Sequence, residues 1–201
     1  MKIILIVLVS LAGIFILAQI LSSRATSNIE MYPYKVVKSF DAFEVRAYEP
    51  ANFTYVTMDQ ASYEETSRNG FRMLAGYIFG NNAQQQKIAM TSPVAMTMED
   101  SVTMMFMVPA AYKLEDLPKP NDSGVKFKQE PEKYVAAIRF GGWTNDRKIK
   151  KYTERLKSLL QSNDIQYLSH FSYLGYNPPF ALIGRRNEII VEIDINSVNH
   201  P

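Results

Sequence analysis

The chain has no cysteine among its 201 residues. That excludes disulfides, thiolate zinc sites, iron–sulfur clusters, thioether-attached haem, a cysteine nucleophile and a lipidated-cysteine anchor. Histidine is almost as scarce. His170 and His200 are the only two, too far apart for a metal-ligand motif. No HExxH, GxSxG, P-loop or dinucleotide-binding glycine pattern occurs. An excess of either charge is also missing, since 22 Lys+Arg stand against 20 Asp+Glu. The first 24 residues hold Lys2 and Arg24 and no acid, so the remainder is balanced at 20 of each sign. A nucleic-acid partner requires a basic excess to neutralise phosphates, so none is expected. The Lys150–Lys151 pair reads as the solvated face of a helix.

What the chain does have is a 47% apolar composition, enough for the core of one domain. It also has one long greasy run. Ile3–Leu21 carries no charge, and its only polar residues are Ser10 and Gln19. As a helix it would span roughly 28 Å, close to a hydrocarbon core of about 30 Å. A signal peptide has a shorter apolar region and a small-x-small cleavage site, which Ser23-Arg24-Ala25 matches poorly. An uncleaved N-terminal hydrophobic helix is therefore expected, anchoring the chain at the membrane through residues 3–21. The domain is expected in the periplasm or outside the cell, or secreted if cleavage occurs. The expected layout is an anchor or signal segment over 1–24, a tether over 25–33, a domain over 34–195 and a tail over 196–201.

Two segments show helical periodicity. Phe71, Leu74, Ala75 and Ile78 share one helix face. Ser62 and Glu65 form a capping-box pattern ahead of them, and Gly80-Asn81-Asn82 closes the helix. The second helix begins near Thr144 or Asn145, with a stripe of Ile149, Tyr152, Leu156 and Leu159. Elsewhere the alternation has period two, as in strands buried on one face. Examples are Phe43, Val45 and Ala47; Ile88, Met90, Val94, Met96 and Met98; Val102, Met104, Phe106 and Val108; Tyr134, Ala136, Ile138 and Phe140; and Ile189, Val191 and Ile193. The order of strands, helix and strands occurs twice, divided at Leu117–Asp122. An α+β fold with an antiparallel sheet and an internal repeat is expected.

Three stretches carry a resemblance. Lys87-Ile88-Ala89-Met90-Thr91-Ser92-Pro93-Val94, Phe140-Gly141-Gly142-Trp143, and Gly175-Tyr176-Asn177-Pro178-Pro179-Phe180 followed by Arg185-Arg186-Asn187-Glu188 resemble, in order, the motifs of the SOUL haem-binding family. Phe43-Glu44-Val45-Arg46 is similar to the family's opening strand. The resemblance implies a distorted antiparallel β-barrel with two flanking helices and a pseudo-two-fold repeat, a fold shared with GyrI-like domains. It implies a hydrophobic groove beside the first helix for haem or another tetrapyrrole. Some members place a proposed iron-ligating His where this chain has Ala47, so any haem is expected to be held non-covalently and without that ligand. Of three cationic positions in other members, Arg68 matches one; Gly76 and Ala181 stand at the others.

The candidate ligand-binding residues are Arg68, Phe71, Arg72, Ala75, Met90, Met96, Met98 and Phe180. A guanidinium at Arg68 matches a ligand carboxylate in two hydrogen bonds, or equally pairs with Glu64 on the helix surface. Methionine on neighbouring strands suits an adaptable pocket, although such stripes more often form core. The expected function is non-enzymatic binding of a flat hydrophobic ligand. One alternative is a GyrI-like hydrolase using Glu188 with Tyr77 or Tyr173. Another is a partner-binding domain whose groove is filled by its own side chains.

Overall fold

The computed structural model describes residues 29–59, 63–98, 101–168, 170–178 and 181–199, with positions 4, 10 and 13 ahead of them. Most of the apolar run and the expected capping residue Ser62 lie outside the described residues. Among those described, no helix is long and apolar enough to cross a membrane.

Helix α1 (Tyr63–Ile78) buries Leu74, Ala75, Tyr77 and Ile78. It stops where Gly80 takes φ +113, a left-handed exit, and the Asn81 N–H closes back on the Gly76 carbonyl at 2.9 Å. Helix α2 (Asp146–Ser162) starts at Asn145, whose side chain accepts from the Lys148 N–H. Its buried stripe is Ile149, Leu156 and Leu160. Leu160 replaces the expected Leu159, which is only half-buried, because 3.6 residues per turn carries the stripe one position further over the last turn.

Nine strands form one sheet: β1 (Tyr34–Ser39), β2 (Glu44–Tyr48), β3 (Ala51–Asp59), β4 (Val94–Met98), β5 (Ser101–Met107), β6 (Lys126–Glu130), β7 (Lys133–Gly141), β8 (Ser172–Gly175) and β9 (Arg186–Glu192). All pairings are antiparallel, in the order β1-β2-β7-β9-β8-β4-β5-β3-β6. The order is palindromic about the β8–β4 pair: β2-β7-β9-β8 on one side mirrors β6-β3-β5-β4 on the other. This is the expected repeat, with β2 and β6 each exchanged onto the opposite half.

Two links curl the sheet. Only Glu49 and Pro50 separate β2 from β3, and only Pro131 and Glu132 separate β6 from β7. Such a link reaches at most about 11 Å. In a flat sheet each linked pair would stand six spacings, or about 29 Å, apart. The sheet must therefore bend until its ends approach. One face carries both helices, with α1 over β3 and β5 and α2 over β7 and β9. The other face has its own core, including Tyr48, Phe53, Met105, Met107, Val135, Leu174 and Ile190. No described helix covers it, so its burial comes from the curl. Tyr32 bridges the two approaching ends, its ring 4.4 Å from Tyr48 and 5.2 Å from Phe53.

Burial on both faces corrects several expectations. The even positions of β2 and β9 are not solvent-facing: Arg46 is 3% exposed and Glu188 is fully buried. Glu188, at a position that burial on one face alone would leave to solvent, is an interior group. Arg46 grips Glu188 through Nη1 at 2.7 Å and Nη2 at 3.2 Å. Arg186 donates to it through Nε and Nη2, and the Tyr176 hydroxyl donates at 2.8 Å. Burial alone would raise the Glu188 carboxyl; the hydrogen bonds from Arg46 and the nearby cations prevail and hold it below its ordinary value. Residues 87–93 are not strand, and only Val94–Met98 continues the expected run. Glu30 and Tyr32, expected in the tether, hydrogen-bond to the Ser92 backbone ahead of β4, and Val198 in the expected tail is buried.

Two outcomes follow from the buried pair. Arg46→Met leaves the Glu188 charge underpaired and should cost about 3–5 kcal/mol in denaturant unfolding, whereas Arg46→Met with Glu188→Leu should cost distinctly less. Because the folded carboxyl titrates below the unfolded one, its contribution is present above pH 4.5 and fades as pH falls through the lower folded value. The urea midpoint of the native chain should fall in that acid window, and that of the double variant should fall less.

Candidate functional site

The helices pack mainly on β3 and β5 and on β7 and β9, so the central β8–β4 pair lies between them. A cleft of about 530 Å3 lies over it. Its floor is Val94 and Met96 of β4, Met104 of β5, and Tyr173 and Gly175 of β8. These share one sheet face because Met96 stands opposite both Tyr173 and Met104 in register. One wall is the first half of α1. There Tyr63, Ser67 and Phe71 recur every fourth residue with Arg68 beside them. Gly70 lets the helix sit close, since a Cβ there would come within 3.3 Å of Met104 Cβ and closer still to the Met58 methyl. The opposite wall is Trp143 and Thr144 before α2, with Asn177 and Arg185 from the loop between β8 and β9.

Polar groups fix this wall. Buried Asn187 accepts from the Tyr173 hydroxyl at 2.7 Å and donates to the Gly142 carbonyl at 2.8 Å, tying the floor to the Trp143 turn. Gly142 has φ +77, which favours glycine. Lys148 Nζ donates to the Gly141 and Trp143 carbonyls. The Arg185 guanidinium lies 4.2 Å over the Trp143 ring, and its Nη1 donates to the Pro178 and Ala181 carbonyls. Arg185 Nε and Thr144 Oγ1 are buried without a hydrogen-bond partner. The Tyr63 ring meets Tyr173 edge-on at 5.2 Å. Burial first, then Tyr173, pushes the Tyr63 phenol above its ordinary value, so it stays protonated.

The cleft brings together Arg68, Phe71 and Met96 of the expected set. Arg72 is exposed and donates to Asn69 instead. Ala75 is buried in the core under α1, and Met90 packs half-buried on that core outside the cleft lining. The Met98 side chain and Phe180 lie outside what is described. Ala47 sits on β2, three strands from β8, and does not line the cleft. The second cation comes from Arg185, not from the Gly76 or Ala181 positions. Sequence reasoning missed Tyr63, Ser67, Met104, Trp143, Thr144, Asn177 and Arg185 as lining residues. The i, i+4, i+8 spacing of Tyr63, Ser67 and Phe71, and the presence of Trp143 and Arg185 within quoted motifs, were the available signals.

The hydrolase apparatus is not assembled here. Glu188 points to the inner face, beside Leu174 rather than Tyr173 in register, and its carboxyl is lowered, not raised. Tyr77 donates to the Pro118 carbonyl away from the cleft. The described lining contains two guanidinium groups and no carboxylate.

The profile of the SOUL heme-binding protein family matches residues 29–192. Heme-binding protein 1 of Xenopus laevis is 29% identical over 157 residues, covering 74% of this chain and 82% of that one. Heme-binding protein 2 of Mus musculus is 26% identical over 174 residues, covering 80% and 84%. Among solved structures, the C-terminal domain of EcmrR overlays with a TM-score of 0.60 at 8% identity, covering 80% of this chain and 98% of that one. A hydrolase from Listeria innocua overlays at 0.57 and 9% identity, covering 79% and 94%. At such identities these structures bear on the fold alone. With the ordered motifs, the palindromic sheet and the profile match over residues 29–192, the chain belongs to the SOUL heme-binding protein family.

Proposed function

We propose that the cleft binds haem, another tetrapyrrole or a similarly flat apolar ligand without catalysing a reaction, in a chain held at the membrane by Ile3–Leu21 with its domain on the exported side. The observation that carries this reading is an apolar cleft flanked by Arg68 and Arg185 with no carboxylate in the described lining. A volume of about 530 Å3 falls within the range of small-molecule sites. Phe71 and Trp143 offer aromatic surface to a macrocycle, over a floor packed with the buried Met96 and Met104 side chains. The two guanidinium groups suit its carboxylates. The chain's own side chains leave the cleft open, which favours a small ligand over a partner-binding domain with a plugged groove.

The residues present fit a porphyrin better than they fit its iron. The described lining holds no histidine, the Tyr63 phenol keeps its proton, and the thioethers of Met96 and Met104 are buried in the floor. Bound haem would bring a redox-active iron. The groups here hold the ring and its carboxylates.

Titration of the full chain in detergent micelles with haemin should give a saturable Soret change. Ser67→Trp, which fills the cleft from the helix wall, should abolish it without lowering the melting temperature. Unchanged haemin binding in that variant would place the ligand elsewhere. Replacing Arg68 and Arg185 together by Ala should weaken binding about 10–100-fold, as loss of charge-assisted hydrogen bonds of about 1.5–3 kcal/mol requires. Iron-free protoporphyrin should bind within roughly fivefold of haemin, about 1 kcal/mol. A much larger preference for haemin would show that a side chain ligates the metal.

A further inference from the structure

Large apolar side chains stand out at the mouth of the cleft. Trp143 is 55% exposed, Leu182 46% and Ile183 76%. They form one rim, because Arg185 stacks on Trp143 and binds the Ala181 carbonyl at the base of the Leu182–Ile183 turn. Gly184 follows with φ +69 and open space around the position of a Cβ. This turn therefore projects from the domain. Leu182 and Ile183 are both exposed there, which is unusual for apolar side chains at a loop tip.

The chain enters the domain at the foot of the same loop. The Ser92 N–H donates to the Glu30 carbonyl and the Tyr32 N–H donates to the Ser92 carbonyl, both at 2.9 Å. Ser92 Oγ donates to the Tyr176 carbonyl at 3.3 Å, and Tyr176 opens the loop that ends at Arg185. Met31, 41% exposed, lies on this stretch. Between Leu21, the end of the uncharged run, and residue 29 there are eight Cα steps, a reach of at most about 28 Å. A chain anchored by that run holds the Glu30–Tyr32 entry, and the loop beside it, within about 28 Å of the bilayer.

We propose that the rim of Trp143, Leu182 and Ile183 rests in the lipid interface, so that the cleft opens onto the bilayer and takes its ligand from the lipid phase. This rests on the anchored reading of Ile3–Leu21. Indole favours the headgroup level and aliphatic side chains the acyl boundary. Three side chains alone make a weak membrane contact. A tether this short turns docking into an intramolecular event at roughly millimolar effective concentration. The rim is also compatible in charge. Its nearby carboxylate, Asp146, accepts from the Tyr63 N–H at 2.7 Å, while exposed Arg147 follows it. A flat apolar ligand dissolved in lipid would then reach the Met96–Tyr173 floor without crossing water.

Trp143 is the only tryptophan, so native emission reports the rim. The full chain is reconstituted into phosphatidylcholine vesicles, plain or brominated at mid-chain, and floated on a density gradient. The expected result is flotation with emission reduced at least about twofold by brominated lipid. Replacing Leu182 and Ile183 by Asp should keep flotation and remove the quenching. Flotation without quenching would leave the anchor standing and overturn the rim contact. Failure to float after alkaline washing would remove the anchor and the proposal with it. Quenching absent but emission blue-shifting with protein concentration would assign the rim to a second copy of the chain, which also overturns the proposal. Haemin titration in micelles stands or falls separately, because it needs no bilayer.

Discussion

Two links of two residues each govern the architecture. Glu49–Pro50 and Pro131–Glu132 connect strands that the hydrogen-bonding order places six spacings apart. The chain can satisfy both the ladders and the links only by bending the sheet until its ends meet. Everything else adapts to that bend. It makes an inner face that no helix needs to cover, and it accounts for a buried tyrosine-rich and methionine-rich core there. It also brings Arg46 and Glu188, on strands separated only by β7, into a space without water. A carboxylate in that space must be fully paired, and the forks of Arg46 and Arg186 with the Tyr176 hydroxyl do this.

The bend also decides where the cleft lies. Each half of the sheet spends its helix on its outer strands, β3 and β5 or β7 and β9. The central β8–β4 pair, where the halves join, lies between the two helices, with Met96 and Tyr173 buried beneath the cleft. The cleft is what a two-fold arrangement leaves between its helices. Its floor is rigid because it is sheet. Its far wall is held by hydrogen bonds through Asn187, which couples the Tyr173 hydroxyl to the turn that aims Trp143.

Much of this was legible in the residues. Period-two alternation located the strand cores from Phe43 through Ile193, and the recurring order of strands and helix announced the duplication. The motifs around Met90, Trp143 and Asn187 named the family. What stayed hidden has a common cause. Alternation tells which face of a strand is apolar, but not whether a sheet will curl and bury the polar face as well, so Arg46 and Glu188 read as surface charges. The site suffered similarly. Arg68, Phe71 and Met96 were found because one helix and one strand carry them. Arg185 and Trp143 were not assigned to the cleft because only the fold brings that loop and that turn to face α1. Ala75 was misplaced into the groove by a helical stripe that is core along most of its length.

A cleft astride a pseudo-dyad has an inheritance of its own. Its two banks are written in different halves of one gene. The bank on α1 is free to drift in shape while the bank at Trp143 and Arg185 keeps its stacked and bonded form, and neither change is copied automatically into the other. A duplicated domain thus escapes the self-symmetry that a pair of identical subunits would impose on a shared groove, and it can fit a ligand whose own edges are unlike.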